Sequence, residues 1–208
     1  DELFSFCGSP ERYIKLEDNQ LTSQPIKGTA SRGADDLEDQ NNINRLKNSI
    51  KDQSENVMIV DLVRNDLSKI ANQNSVKVDE LCGLYSFKTV HQLISTVSCE
   101  IDTSIDFKSI LKATFPMGSM TGAPKLNAMK IIEKKEDFKR GLYSGSIGYI
   151  KPNGDFDFNV VIRSILYNKS KKYLSCSVGG AITYDSKPKS EYEECQTKVG
   201  KLMSIFND

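Results

Sequence analysis

The sequence predicts an α+β fold, in which antiparallel strands and amphipathic helices form a layered domain. The run Pro152-Asn153-Gly154-Asp155 joins two apolar segments and is typical of a β-hairpin turn. Residues 190–206 place apolar side chains three or four positions apart, which is the period of an α-helix. No internal repeat or low-complexity linker divides the chain, so residues 1–208 are predicted to form one domain.

The first elements are predicted to be strands at residues 3–8 and 12–17. They flank the run Gly8-Ser9-Pro10-Glu11, whose residue types favour a turn. Residues 25–28 are expected to be extended, since a proline and a glycine bound them. The chain opens directly into the first strand without an initiating methionine, so we expect the front part of a longer chain to be missing.

The helices are predicted from the spacing of apolar residues. Residues 37–50 and 107–114 follow a helical pattern. The apolar run 57–63 has two interpretations, a buried strand or the inner part of a second helix. A further helix is predicted to begin at Thr121-Gly122-Ala123-Pro124 and to end near Lys135, because proline fits the first turn of a helix.

The second half of the chain is predicted to contain hairpin strands at 143–150 and 155–167, followed by a strand at 173–178. Alternation along the second of these strands divides its side chains between two faces. The apolar face consists of Phe156, Phe158, Val160 and Ile162. Arg163 falls on the other face, with Asp155, Asp157 and Asn159.

The composition excludes several classes of function. Lysine plus arginine and aspartate plus glutamate number 28 each, so the net charge gives no reason to expect a nucleic acid or a membrane surface as partner. No apolar run approaches the roughly 20 residues of a membrane span, and no signal peptide is recognisable. The five cysteines lack metal-type spacing, which favours free thiols in a reducing cytoplasm.

Lys27 is a candidate nucleophile in the run Pro25-Ile26-Lys27-Gly28-Thr29. An extended stretch with a glycine after the lysine holds the side chain at a fixed place on an approachable backbone. A lysine amine is nucleophilic only when neutral, so it needs desolvation or a neighbouring positive charge. From these residues alone, a solvated surface lysine is the more common interpretation for one of many lysines.

Glu55, Glu191 and Glu194 are candidate ligands for magnesium, which prefers carboxylate oxygens completed by substrate and water. Glu191 and Glu194 are three residues apart on the final predicted helix, so they share one face. An acidic stripe on a helix is also typical of a solvated surface, and spacing does not decide between the two.

Several further residues suit a carboxylate or phosphate ligand. Residues 115–125 form a loop that leads into a helix N-terminus and ends at Lys125, where exposed N–H groups favour an anion. Gly179 and Gly180 offer approachable backbone N–H groups after a strand. Arg163 is either a salt-bridged residue or a carboxylate clamp. His91, the one histidine, is either structural or catalytic.

Taken together, these segments resemble the chorismate-binding enzymes, which include the anthranilate, aminodeoxychorismate, isochorismate and salicylate synthases. The resemblance is nearly continuous from Ser9 to Lys201. The matching segments are Ser9–Arg12, Pro25–Thr29, Glu55–Leu62, Arg64–Leu67, Val90–Leu93, Thr121–Lys125, Gly145–Tyr149, Ile162–Ser164 and Glu191–Glu194. The resemblance implies a layered fold with antiparallel sheets packed face to face, helices outside, and an N-terminal part that this chain lacks.

The resemblance also implies an activity. Lys27 stands where the aminodeoxychorismate-forming branch carries lysine and the anthranilate-forming branch carries alanine. That branch, which serves folate and para-aminobenzoate synthesis, aminates chorismate at C4. Ammonia comes from a glutamine amidotransferase subunit or domain. Lys27 is expected to form a covalent adduct at C2 while Glu11 acts as the general acid and His91 orients the ring.

The same resemblance implies how chorismate is held. Magnesium, bound by Glu55 and Glu194 and through water by Glu191, is expected to anchor the ring carboxylate. The other residues expected at the substrate are Thr121, Lys125, Tyr143, Arg163, Gly179, Gly180, Ala181 and Lys198. Of these, Tyr143 and Arg163 are expected to hold the enolpyruvyl carboxylate.

Some positions depart from the family pattern. Gln53 and Ser54 stand where arginine and alanine are usual, and Met117 and Met120 where glycine and isoleucine are usual. Ala181 replaces a common third glycine and would crowd the carboxylate site. Two alternatives remain open: an anthranilate synthase or another chorismate-using synthase, and a non-catalytic fragment that binds chorismate or docks an amidotransferase.

Overall fold

The computed structural model describes residues 2–184, 186–203 and 206. The chain divides into two compact units. The larger unit comprises Glu11–Lys139 and Ile147–Asn159, and the smaller comprises Asp1–Pro10, Arg140–Ser146 and Val160–Asp208.

The larger unit is built on a seven-stranded sheet with helices. Its strands are β2 (Arg12–Glu17), β3 (Gln20–Gln24), β4 (Ile26–Ser31), β5 (Lys77–Ser86), β6 (Val90–Glu100), β7 (Ser146–Ile150) and β8 (Phe156–Val160). One residue of β7, Ser146, and one of β8, Val160, are assigned to the smaller unit. Its helices are α1 (Asp36–Lys47), α2 (Ile50–Leu67), α3 (Phe107–Thr114) and α4 (Lys125–Lys135), with a short 3₁₀ turn at Gly118–Met120. The sheet order is β4-β6-β3-β2-β8-β7, and β5 also pairs with β6.

The smaller unit contains a three-stranded sheet and one helix. The sheet has the order β1-β9-β10 and is antiparallel, and its strands are β1 (Leu3–Cys7), β9 (Ser164–Asn168) and β10 (Tyr173–Ser175). Helix α5 spans Pro188–Met203. These elements confirm the predicted α+β class with antiparallel pairing.

The core of the larger unit lies between the sheet and α2. Strand β6 contributes Leu93 and Val97, and α2 contributes Ile59 and Leu67, all almost fully buried. Because α2 covers one face of the sheet with this apolar stripe, polar residues on the same stripe are also carried into the interior. Among the described residues, no helix is long and apolar enough to cross a membrane.

The structure changes the boundary of one predicted helix and decides the ambiguous run that follows it. The helix predicted at 37–50 ends at Lys47, because the Ser49 side chain accepts a hydrogen bond from the backbone N–H of Asp52 and begins a new helix. The ambiguous run 57–63 lies within this second helix, α2. The short helix predicted at 107–114 is confirmed.

The long strand predicted at 155–167 is wrong. Strand β8 ends at Val160, where the backbone N–H of Ile162 donates to the Val160 carbonyl in a tight turn. Arg163 then adopts a left-handed backbone with φ of 50°. Ile162 and Arg163 therefore do not continue the two faces of β8, and the chain resumes as β9, which pairs with β1. The strand predicted at 173–178 is also shorter, ending at Ser175.

Candidate functional site

Lys27 lies at a β-bulge in the larger unit. In the pairing of β4 with β6, Ile26 faces Ile94 and Thr29 faces Gln92, so Lys27 and Gly28 together face the single residue between those two partners. Gly28 has a φ of +91°, and a Cβ there would lie 3.1–3.2 Å from side-chain atoms of Asp52, Leu46 and Leu93. Glycine is therefore required beside the half-buried lysine.

A chain of buried polar groups joins the Lys27 backbone to α2. The Asn56 side-chain amide donates to the Lys27 carbonyl at 3.5 Å, and the Ser95 hydroxyl donates to Asn56 Oδ1 at 2.5 Å. The backbone N–H of Cys82, at an irregularity in β5, donates to Ser95 Oγ at 2.9 Å. Backbone groups at the irregular stretches of both strands thus find partners inside the unit, which keeps the strand that carries Lys27 in place.

Glu11 precedes β2 and is buried, with 6% of its surface exposed. Burial raises the pKa of Glu11 to about 7, although a hydrogen bond from Ser119, the charge of Lys27 and the backbone of Ile26 act in the opposite direction. A carboxyl group with such a pKa is partly protonated near neutral pH. It can therefore donate a proton beside an amine, which is the property expected of a general acid.

His91 is fully buried in β6 and has partners on both ring nitrogens. Nδ1 lies 2.8 Å from the Ser86 hydroxyl, and Nε2 lies 3.0 Å from Asp39 Oδ1. The same carboxylate pairs with the Arg32 guanidinium, which together with the Gly33 backbone N–H and His91 holds the pKa of Asp39 far below its usual range. The ring orientation is fixed by this network, and the role of His91 toward a substrate stays a prediction.

Lys125 and Thr121, both predicted to contact substrate, have protein partners. The Lys125 ammonium bonds Asp66 Oδ2 and donates to the Thr114 carbonyl at 3.0 Å. Burial lowers the pKa of Lys125, while Asp66 opposes that effect. The Thr121 hydroxyl donates to the Met117 carbonyl at 3.0 Å.

The smaller unit brings six predicted residues together. A Cβ at Gly179 would lie 2.7 Å from the Tyr143 hydroxyl oxygen, and one at Gly180 would lie 3.6 Å from Glu191 Oε2. The Lys198 ammonium donates to the Gly179 carbonyl at 3.0 Å and pairs with Glu194. Gly179 therefore leaves room for the Tyr143 hydroxyl, whereas a Cβ at Gly180 would make only ordinary van der Waals contact with Glu191.

Glu191 is itself buried in the smaller unit and accepts a hydrogen bond from the Ser186 hydroxyl at 2.8 Å. Ala181 follows the two glycines and is half-buried. The backbone carbonyl of Arg163 accepts from the Gly8 N–H at 3.2 Å, and this contact fixes the turn between β8 and β9.

The sequence matches the family described as chorismate binding enzyme over residues 2–204. The chain belongs to the chorismate-binding enzyme family. It is 43% identical to aminodeoxychorismate synthase component 1 of Salmonella typhimurium over 94% of this chain and 42% of that protein. It is 41% identical to anthranilate synthase component 1 of Saccharolobus solfataricus over 99% of this chain and 48% of that protein.

The fold of this family member matches a solved relative. The crystal structure of anthranilate synthase component I from Streptococcus pneumoniae TIGR4 superposes with a TM-score of 0.82 at 32% identity, covering 95% of this chain and 43% of that one. The chain therefore spans less than half the length of these relatives. The similar identities to synthases of two kinds mean that overall similarity shows the family but does not distinguish its branches.

The three glutamates predicted to hold magnesium lie on two helices of this family member. Glu191 and Glu194 are on α5 in the smaller unit, whereas Glu55 is on α2 in the larger unit, 3.9 Å from the Lys51 ammonium. Over residues 2–184, 186–203 and 206, no three His, Cys, Asp or Glu side chains form a metal-binding group. The donors are carboxylate oxygens, one of them buried beside backbone of the glycine pair, and this chemistry fits magnesium.

Asn56, Asp66 and Ser95 were not among the residues predicted for the site. A signal was present for the first two, since Asn56 and Asp66 fall on the same helical stripe as the buried Ile59 and Val60. A polar residue on an apolar stripe of a helix needs a buried hydrogen-bond partner, which marks it as part of an internal network. Ser95 became recognisable only through its contacts with Asn56 and Cys82.

Proposed function

We propose that the protein containing this chain aminates chorismate at C4, giving 4-amino-4-deoxychorismate for para-aminobenzoate and folate synthesis. The observation that carries the proposal is Lys27 at the bulge of β4, beside a buried Glu11 whose pKa is raised to about 7. An amine and a carboxylic acid next to each other supply the nucleophile and the proton that this substitution needs. The names of several relatives support the same reaction.

In the first step, the Lys27 amine attacks C2 of the ring, both conjugated ring double bonds shift by one position and the C4–O bond breaks. Hydroxide is a poor leaving group, so Glu11 gives its proton to the oxygen, which departs as water. The Glu11 carboxylate then takes up the proton released by the new secondary ammonium of Lys27. The protonated acid is restored for the second step.

In the second step, ammonia attacks C4 and the bond between C2 and the Lys27 nitrogen breaks. Glu11 protonates the departing lysine nitrogen and recovers a proton from the new ammonium at C4. The net change is replacement of one hydroxyl by one amino group, with water as the other product and the enolpyruvyl group retained. Ammonia is proposed to come from a glutamine amidotransferase, in keeping with relatives named component 1.

The remaining residues bind and orient the substrate in this proposal. Glu191 and Glu194, with Glu55, would hold magnesium, which when bound neutralises the ring carboxylate of chorismate. Around the same carboxylate, the backbone N–H groups of Gly179 and Gly180 act as donors. The Tyr143 hydroxyl and the Arg163 guanidinium would bind the enolpyruvyl carboxylate. His91 and Thr121 would help to orient the ring.

The decisive experiment is mass spectrometry of the products that the full-length protein forms from chorismate, magnesium and ammonium. We expect a product in which one hydroxyl of chorismate is replaced by an amino group, without pyruvate. Lys27→Ala should abolish the product while chorismate still binds. Lys15→Ala is the matched control, since Lys15 is a β2 lysine paired with Glu17 at the surface and should leave turnover unchanged. An active Lys27→Ala protein would contradict the covalent mechanism.

The second candidate is anthranilate synthesis, favoured by the 41% identity to the Saccharolobus solfataricus enzyme over 99% of this chain. That reaction eliminates the enolpyruvyl group, so pyruvate together with an aromatic 2-amino acid would identify it. In that case Lys27 would not form an adduct, and Lys27→Ala would retain activity.

A further inference from the structure

The loop of residues 115–124, between α3 and α4, carries Ser119 to the Glu11 carboxyl. No strand pairing runs through this loop, and its only regular element is the 3₁₀ turn at Gly118–Met120. A hydroxyl delivered by such a segment holds its position only if the segment is anchored at its ends and in its middle. The structure shows an anchor at each of these three places.

The first anchor is the residue before the loop. The buried Thr114 hydroxyl donates to the Ile110 carbonyl at 2.8 Å, so its oxygen accepts the proton of the Tyr13 hydroxyl at 2.6 Å. Tyr13 is on β2, two residues beyond Glu11. The strand that follows Glu11 therefore also fixes the start of the loop.

The second anchor is the residue after the loop. The Lys125 ammonium bonds the buried Asp66 carboxylate and donates to the Thr114 carbonyl at 3.0 Å. One cation thus ties the two ends of the loop to each other and to the C-terminal part of α2. Asp66 has a second partner, Lys69, at 2.9 Å, which lies in the turn after α2 and remains about half exposed. The Lys69 ammonium also donates to the Ala113 carbonyl at 3.3 Å, one residue before Thr114.

The third anchor is in the middle of the loop. A Cβ at Gly118 would lie 2.7 Å from Leu62 Cδ2 of α2, and Met117 beside it is buried with 4% of its surface exposed. The backbone next to Ser119 therefore packs directly on the helix. With both ends held, this contact leaves Ser119 little freedom to move away from Glu11.

We infer that Lys125 is a positioning residue for the proposed acid: its pairing with Asp66 and the Thr114 carbonyl closes the loop and thereby sets the Ser119 hydroxyl on the Glu11 carboxyl. This inference rests on the proposed function for the role of Glu11, but the contacts themselves do not depend on turnover. It gives Lys125 an internal partner in place of a substrate carboxylate. The charge of Lys27, from β4, also acts on the Glu11 carboxyl.

The test is an NMR titration of the Glu11 side-chain carboxyl in the full-length protein labelled with ¹³C-glutamate, with Glu11→Gln used to assign the resonance. Ser119→Ala removes a hydrogen bond that stabilises the charged form, so the pKa of Glu11 should rise by roughly 1. Lys125→Met should also raise the pKa of Glu11. In a protein that already carries Ser119→Ala, Lys125→Met should cause no further rise of that pKa. Lys139→Met, which removes an exposed lysine paired with the exposed Glu133 outside the loop, is the control and should leave the pKa of Glu11 unchanged.

Two further variants distinguish a loss of Ser119 positioning from simple misfolding. Lys125→Arg keeps the charge pair and should retain the wild-type titration of Glu11. The double variant Asp66→Asn/Lys125→Met removes both buried charges, so it should recover stability while keeping the raised pKa. A Lys125→Met or double variant with the wild-type pKa of Glu11 would overturn the inference. Because the titration requires no turnover, lack of amination by the wild-type protein would count against the proposed function alone.

Discussion

Replacing Glu11 with glutamine should stabilise the protein at neutral and alkaline pH, but not in acid. Glu11 is buried, and its pKa is raised from 4.5 to about 7 in the folded protein. Between these two values the folded state keeps a proton that the unfolded chain has already lost. Folding stability therefore falls as the pH rises through this window, because the unfolded state ionises freely and the folded state does not.

The size of the effect follows from the two pKa values. A tenfold change in an ionisation constant corresponds to about 1.4 kcal/mol. Moving the pKa of Glu11 from 4.5 to about 7 therefore amounts to about 3 kcal/mol of unfolding free energy. The free-energy difference between Glu11→Gln and wild type should grow by about this amount from pH 4.5 to pH 7 and level off near pH 8.

The measurement is urea unfolding of both proteins at several pH values, followed by circular dichroism because the chain has no tryptophan. Glu17→Gln is the matched control: Glu17 is exposed on β2, and Lys15 holds its pKa below the usual value. The difference in unfolding free energy between Glu17→Gln and wild type should stay constant between pH 5 and pH 8. A difference between Glu11→Gln and wild type that stays constant over this range would refute the argument that Glu11 is buried as a neutral acid.

Three further predictions concern packing, the buried network and the metal. Gly118→Ala should destabilise the protein by about 1–3 kcal/mol in urea unfolding, because the new methyl group would meet Leu62 at 2.7 Å. Asn56→Ala should lower the free energy of unfolding by about 1–3 kcal/mol, and a double-mutant cycle with Ser95→Ala should be non-additive because the two side chains share a hydrogen bond. Glu191→Gln should raise the magnesium concentration for half-maximal turnover at least about tenfold by weakening a ligand.

Each of these predictions has an outcome that would contradict it. Gly118→Ala with wild-type stability would mean that the loop does not pack on α2. Additive losses for Asn56 and Ser95 would mean that their hydrogen bond contributes nothing. For the metal, Glu193→Gln is the control, since Glu193 lies on α5 but is exposed and faces Lys189, and an equal magnesium response in both variants would exclude a specific role for Glu191.

The fold was predictable where local chemistry alone determines structure. Helix α3 has Asp106 as its N-cap, and the Asp106 carboxylate accepts from the Ser109 N–H, so its boundary follows from adjacent residues. The long strand pair β5 and β6 was not predicted. Strand β6 buries nearly every side chain along its length, so it lacks the alternation that identifies a strand with one solvated face.

The sequence alone determined the family and the functional groups available at the site. These groups are an amine at Lys27, an acid at Glu11 and carboxylates on α5. Only the tertiary structure decided which of these groups have partners and how they ionise. The pKa of Glu11 depends on its burial and on groups of β4 and of the loop of Ser119, and the partner of Lys125 is Asp66, 59 residues away along the chain. Ionisation and ion pairing depend on distance and desolvation in three dimensions, which no local sequence pattern encodes.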